Sequence, residues 1–256
     1  MADFSRDGKW VVYVTYPDRV LWHSRADGSE AVPLTHGSLH AALPRISPDA
    51  RLVAFTGDFD GRGLRPWIVP MSGGEPRLAA QLDAGTSTEV GPTWSPDGTK
   101  LLFRLNRSQL QHVLAILDLA TGRTEHLPDS EQKCNERWSP DGKRIIATPY
   151  TQGRIDLFEV RRGEWTRLSD MRADYPNWSH DGEYVYFYTS LDSGEEAIYR
   201  VSLKSRKTGR VASLVGYTRA FDDLYSQWVG LAADDSPMIL RSTGYQRIYR
   251  LSFSGK

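Results

Sequence analysis

A single cysteine, Cys134, in 256 residues excludes any internal disulfide and leaves the redox compartment open. It reads as a small buried side chain and not as a nucleophile. No excess of either charge is present, because Lys plus Arg and Asp plus Glu stand at 32 each. That balance removes the broad basic field expected of a protein that grips phosphate backbones, so nucleic acid is not an expected partner. No run approaches the roughly 18 apolar residues of a membrane helix, and a membrane is not an expected partner either. The opening segment, Met1 to Trp10, has neither a basic leader nor an apolar stretch. As written the chain is expected in the cytoplasm, and in the periplasm if it is a piece of a longer, exported protein.

Catalytic phrases are lacking as well. There is no Gly-x-Ser-x-Gly elbow, no His-Glu-x-x-His, no phosphate-cradling Gly-Lys loop and no Cys-x-x-Cys. No convincing amphipathic helix is found. With 39% hydrophobic and 11% aromatic residues, the chain can nevertheless bury a substantial core.

What is present is a repeat. One phrase returns as Phe4-Ser5-Arg6-Asp7-Gly8, Ile46-Ser47-Pro48-Asp49-Ala50, Trp94-Ser95-Pro96-Asp97-Gly98, Trp138-Ser139-Pro140-Asp141-Gly142 and Trp178-Ser179-His180-Asp181-Gly182. A degenerate sixth copy starts at Trp228 and runs through Asp234-Asp235-Ser236-Pro237. The serines lie 42, 48, 44 and 40 residues apart, a period that belongs to four-stranded blades or solenoid units. Ser at the first place, Pro at the second and a closing Gly make a hairpin turn, and Ala50 in the Gly place is expected to be strained. A β-rich run follows each turn, as in Leu101-Leu102-Phe103. Second turns are marked by Gly28, Gly73, Gly122, Gly163 and Gly209.

These copies resemble the WD-repeat-like propeller repeats of TolB and its relatives over nearly the whole chain. The resemblance implies an all-β, six-bladed propeller, with blades at about 1–37, 38–85, 86–131, 132–170, 171–216 and 217–256. Trp94, Trp138 and Trp178 are then core aromatics between blades. Strand counting leaves the last blade without its outer strand, with the strand around Tyr249 at an open edge available for self-association.

Function is less legible. In a propeller the loops leading into each first strand share one end of the tunnel with those joining second to third strands, and loops on a rigid scaffold carry sites. That face is rich in acids, among them Asp18, Asp58, Asp60, Asp129 and Glu131. Residues four to seven places before each motif serine should lie nearest the axis: His40, Glu89, Asn135, Asp174 and Asp223. Two readings follow. In the first, a TolB-like module binds a protein, peptide or small molecule at the tunnel mouth, with no cofactor. In the second, Glu89, Asn135, Asp174 and Asp223 hold Ca²⁺ and His40 acts as base in a hydrolase of lactones or esters, acyl-homoserine lactones among them. That second reading rests on analogy with paraoxonase-type and lactonase propellers. A fragment, Asp58-Phe59-Asp60-Gly61, has only the opening of a calcium-loop pattern.

Overall fold

The computed structural model describes residues 1–82, 91–108, 111–151, 153–191, 193–220 and 228–242. All of its regular structure is β. The first blade is β1 (Ala2–Phe4), β2 (Trp10–Val14), β3 (Leu21–Arg25) and β4 (Val32–Pro33). The second is β5 (Leu39–Ile46), β6 (Leu52–Phe59), β7 (Arg65–Pro70) and β8 (Arg77–Leu78). The third is β9 (Thr93–Trp94), β10 (Lys100–Ser108), β11 (Gln111–Asp118) and β12 (Thr124–His126). The fourth is β13 (Lys133–Trp138), β14 (Arg144–Pro149), β15 (Ile155–Glu159) and β16 (Glu164–Ser169). The fifth is β17 (Asp174–Trp178), β18 (Tyr184–Ser190), β19 (Glu196–Ser202) and β20 (Thr208–Ser213). Each is an antiparallel meander in chain order, and β21 (Val229–Leu231) with β22 (Pro237–Ile239) forms a two-stranded sheet.

The inner strands touch in the order β1, β5, β9, β13, β17, β21 and back to β1, which makes the assembly a propeller around a central tunnel. Five complete blades are seen where six were expected, and the two-stranded sheet stands between the fifth and the first. The expected edge strand around Tyr249 lies outside the described residues.

The repeated phrase folds the same way five times. Each Ser Oγ donates to the Asp two places on, at 2.6–2.7 Å, and accepts from the backbone N–H five places on, as Ser95 does from Lys100 at 2.9 Å. The same Asp oxygen accepts a backbone N–H two places further, so one short side-chain chain closes the turn between first and second strands. The closing residue is left-handed in every copy, including Ala50 at φ 56°. Ala50 is strained as expected, yet its methyl packs on the cluster around Val53 and Phe55. Gly98, at φ 73°, has only Pro48 near its missing Cβ, at 3.7 Å. Gly98→Ala is therefore expected to cost about 1–2 kcal/mol through backbone strain alone. Ala50→Gly should change stability by less than about 0.5 kcal/mol, because released strain is offset by lost packing and a more flexible unfolded chain. Urea unfolding midpoints of the two variants test this, and equal and opposite shifts would contradict it.

The cores lie between blades. Phe55, Phe103 and Phe187 occupy the same place in their second strands, eight residues after the motif serine, and are essentially fully buried. Trp94 and Trp178 join neighbouring blades by donating Nε1–H to the carbonyls of Arg45 (3.0 Å) and Arg137 (3.1 Å). Trp138 packs between blades too, but its indole donates to Gly142 of its own turn at 3.1 Å.

Candidate functional site: the tunnel and its loop mouth

Three first strands carry a β-bulge at the same place, with a left-handed residue four positions before the motif serine: Leu43 (φ 47°), Asn135 (φ 55°) and Tyr175 (φ 53°). Non-glycine residues held this way store strain, and bulges re-aim the side chains that follow them. In the third blade this position is Gly91, where an added Cβ would lie 2.5 Å from Leu43 Cβ and 2.7 Å from the Leu43 carbonyl oxygen. Inner strands of the second and third blades thus meet backbone to backbone.

Immediately after the bulge the repeat places proline in three blades, Pro44, Pro92 and Pro176, and glutamate in the fourth, Glu136. Glu136 is fully buried, its carboxyl accepts no side-chain hydrogen bond among the described residues, and burial pushes its pKa up against the pull of Arg104 and Arg137. One place further come Asp3, Arg45, Thr93, Arg137 and Asn177. Asp3 Oδ2 accepts the Ile46 N–H at 2.8 Å and Oδ1 lies 3.5 Å from Arg45 Nη1, while burial raises its pKa. Burial, and then Arg45, lower the Arg137 pKa to about 9, while Glu136 and Asp3 act the other way. Asp3, Arg45 and Arg137 belong to the first, second and fourth blades, so these charges meet across the axis.

The residues expected nearest the axis are distributed differently. His40 is exposed on β5, opposite Asp58 in the strand register. Asn135 is half-buried and donates to Thr148 Oγ1 at 3.0 Å. Asp174 is half-buried, and burial raises its pKa against the pull of Arg172. Glu89 and Asp223 lie outside the described residues. Among the described residues no three His, Cys, Asp or Glu side chains come together as a metal cluster would require. Asp58 spends Oδ1 on the Gly63 N–H, at 3.0 Å. The arginines at the axis were missed by the sequence reading, which looked four to seven places before the serine; the signal was a charged residue two places before it.

Cys134 is buried, Sγ sits 3.4 Å from the Thr148 carbonyl, and burial pushes its thiol up, so it is the packed side chain expected. Several carboxylates near the loop mouth are already paired. Asp156 takes Lys133 at 2.7 Å and Arg154 at 2.9 Å, Glu195 takes Arg210 at 2.6 Å, and Glu196 takes Arg219 at 2.9 Å. Asp18, Asp60, Asp129 and Glu131 stay exposed. The same mouth carries exposed apolar side chains: Tyr16 on the β2–β3 loop, Phe59 at the end of β6, Tyr150 after β14, and Val215 and Tyr217 ahead of β21. Every exposed aromatic side chain among the described residues is on this face.

No protein-family profile matches the chain. The chain is 29% identical over 189 residues to the uncharacterized peptidase YuxL of Bacillus subtilis, an alignment that covers 69% of this chain and 26% of that protein. It therefore spans about a quarter of the length of that relative. Among solved structures it resembles TolB from Acinetobacter baumannii, with a TM-score of 0.69 and 17% identity over 91% of this chain and 63% of that one. It also resembles an oligogalacturonate lyase in complex with manganese, with a TM-score of 0.67 and 16% identity over 96% of this chain and 77% of that one. At these identities the structural likeness establishes a TolB-like propeller fold and nothing of the chemistry.

Proposed function

We propose that this propeller is a recognition module whose loop mouth binds a protein or peptide segment carrying apolar and basic side chains, and that the β21–β22 sheet belongs to a sixth blade. The observation that carries the first part is the gathering of Tyr16, Phe59, Tyr150 and Tyr217 on one face while no other face exposes an aromatic among the described residues. Aromatic side chains supply large contact area at low entropic cost and dominate binding energy at interfaces. The exposed acids Asp18, Asp60, Asp129 and Glu131 on the same face favour a basic partner and a salt-dependent association rate. The sixth-blade reading is supported by the contacts that β21 makes with both β17 and β1.

The lactone or ester hydrolase reading gains no support from the geometry of the described residues.

A peptide library displayed on phage provides the test. Selected peptides are expected to combine aliphatic residues with Lys or Arg. Their Kd, measured by fluorescence anisotropy, should rise at least about tenfold in Tyr150→Ser/Tyr217→Ser, as loss of hot-spot contacts does. Failure to select any peptide, or equal affinity in the double variant, would refute the reading.

A further inference from the structure

The tunnel interior differs in character from the mouth above it. Arg45 and Arg137 occupy equivalent places in the second and fourth blades, and each curls its Nη1 back onto the carbonyl just before it, Pro44 O at 3.3 Å and Glu136 O at 2.7 Å. Arg137 is only 7% exposed, and its Nε is buried with no hydrogen-bond partner among the described residues. A guanidinium is a planar fork of five donors that does not shed its charge, so a buried Nε–H without an acceptor is costly. Asp3 serves Arg45 and the Ile46 N–H and is shared across the axis, and Glu136 supplies its main-chain oxygen to Arg137. Among the described residues Arg104 also acts on the Glu136 carboxyl from the second strand of the third blade. Burial raises the pKa of the Asp3 and Glu136 carboxyls, which weakens the negative side of the balance further.

We infer that the tunnel holds an oxyanion, a carboxylate or phosphate group, between the Arg45 and Arg137 guanidiniums. The site is reached from the mouth formed by the motif turns, where a cavity of about 380 Å³ is lined by Arg6, Trp94, Trp138, Trp178 and His180 among others. Trp94 and Trp178 in its wall donate to the main-chain carbonyls of Arg45 and Arg137, so the backbone of both arginines lies directly behind that wall. Glu136 lies one position from Arg137, at the place that holds Pro44, Pro92 and Pro176 in three other blades and Ala2 in the first. Departures of this kind mark function more often than packing. Arginine is the side chain suited to bidentate recognition of such groups. The inference concerns the opposite end of the tunnel from the proposed peptide face and stands or falls separately from it.

Inorganic phosphate, sulfate and sodium acetate, each titrated at constant ionic strength against sodium chloride, provide the test by thermal unfolding. A ligand that binds only the folded state raises Tm in a saturable way. A saturable rise is expected with at least one of the three in the wild type, and the apparent Kd should weaken at least about tenfold in Arg137→Gln and in Arg45→Gln. Arg19→Gln, on the loop face, should leave it unchanged. Response to phosphate and sulfate alone assigns a phosphate-like group, and response to acetate alone assigns a carboxylate. If Arg137→Gln does not fold, the Arg45→Gln titration decides. No rise beyond that of chloride, or the same rise in the arginine variants as in the wild type, overturns the inference.

Discussion

Phe103→Ala is expected to destabilise the fold by about 3–5 kcal/mol, the loss typical of deleting a fully buried aromatic side chain. Phe103 lies on β10 in the cluster with Ala54, Ile68, Leu101 and Ala115, at the junction of the second and third blades. Its ring is 0% exposed, and the sheets on both sides are fixed by their own ladders, so collapse around the vacancy is limited. Phe55 and Phe187 hold the equivalent place and should respond alike, whereas the fourth blade has Ala147 there, packed among Leu102, Leu114, Ile145 and Phe158. Chemical denaturation of the three phenylalanine variants checks the expectation. A loss below about 1 kcal/mol at Phe103 would mean that blade junctions repack far more freely than close-packed interiors do.

Gly91→Ala should cost about 3 kcal/mol, the upper end of ordinary overpacking. The new methyl would meet the Leu43 carbonyl oxygen at 2.7 Å, and because that atom is backbone the strain cannot be relieved by a rotamer change. Leu43 is itself held left-handed in the bulge, so moving it disturbs two inner strands at once. Gly57 provides the contrast, since its nearest neighbours are side-chain atoms of Trp67, Leu39 and Phe55 and not backbone. Gly57→Ala should therefore be the milder of the two, and urea titrations that reverse the order would contradict this account.

The turns, the blade order and the interblade tryptophans were legible in the sequence because each depends on local chemistry. A serine, an aspartate and a left-handed residue within five positions close a turn wherever they occur, and five copies in register leave little choice of architecture. The axis was not legible. Whether a side chain points into the tunnel is decided by the bulges at Leu43, Asn135 and Tyr175, and a bulge shifts the alternation of every residue after it. Counting back from the motif serine therefore selected His40 and Asn135, where the structure brings Asp3, Arg45 and Arg137 together. The balance of charge on the loop face was similarly opaque, because pairs such as Lys133–Asp156 and Arg210–Glu195 join segments distant in sequence that only the folded blade brings together.

Contact between β1 and β21, at opposite ends of the described chain, has a consequence for the order in which structure is acquired. Nearly every other strand pairing joins sequence neighbours through a short hairpin, so individual blades can form early and in any order. The first-to-last junction alone encloses almost the whole chain. Its loop-closure entropy grows only with the logarithm of that length, but no local contact can compensate for it until the intervening blades are in place. Ring closure is thus the step that commits the molecule: before it, the protein is an open arc of preformed blades, and after it, a tunnel exists for the first time.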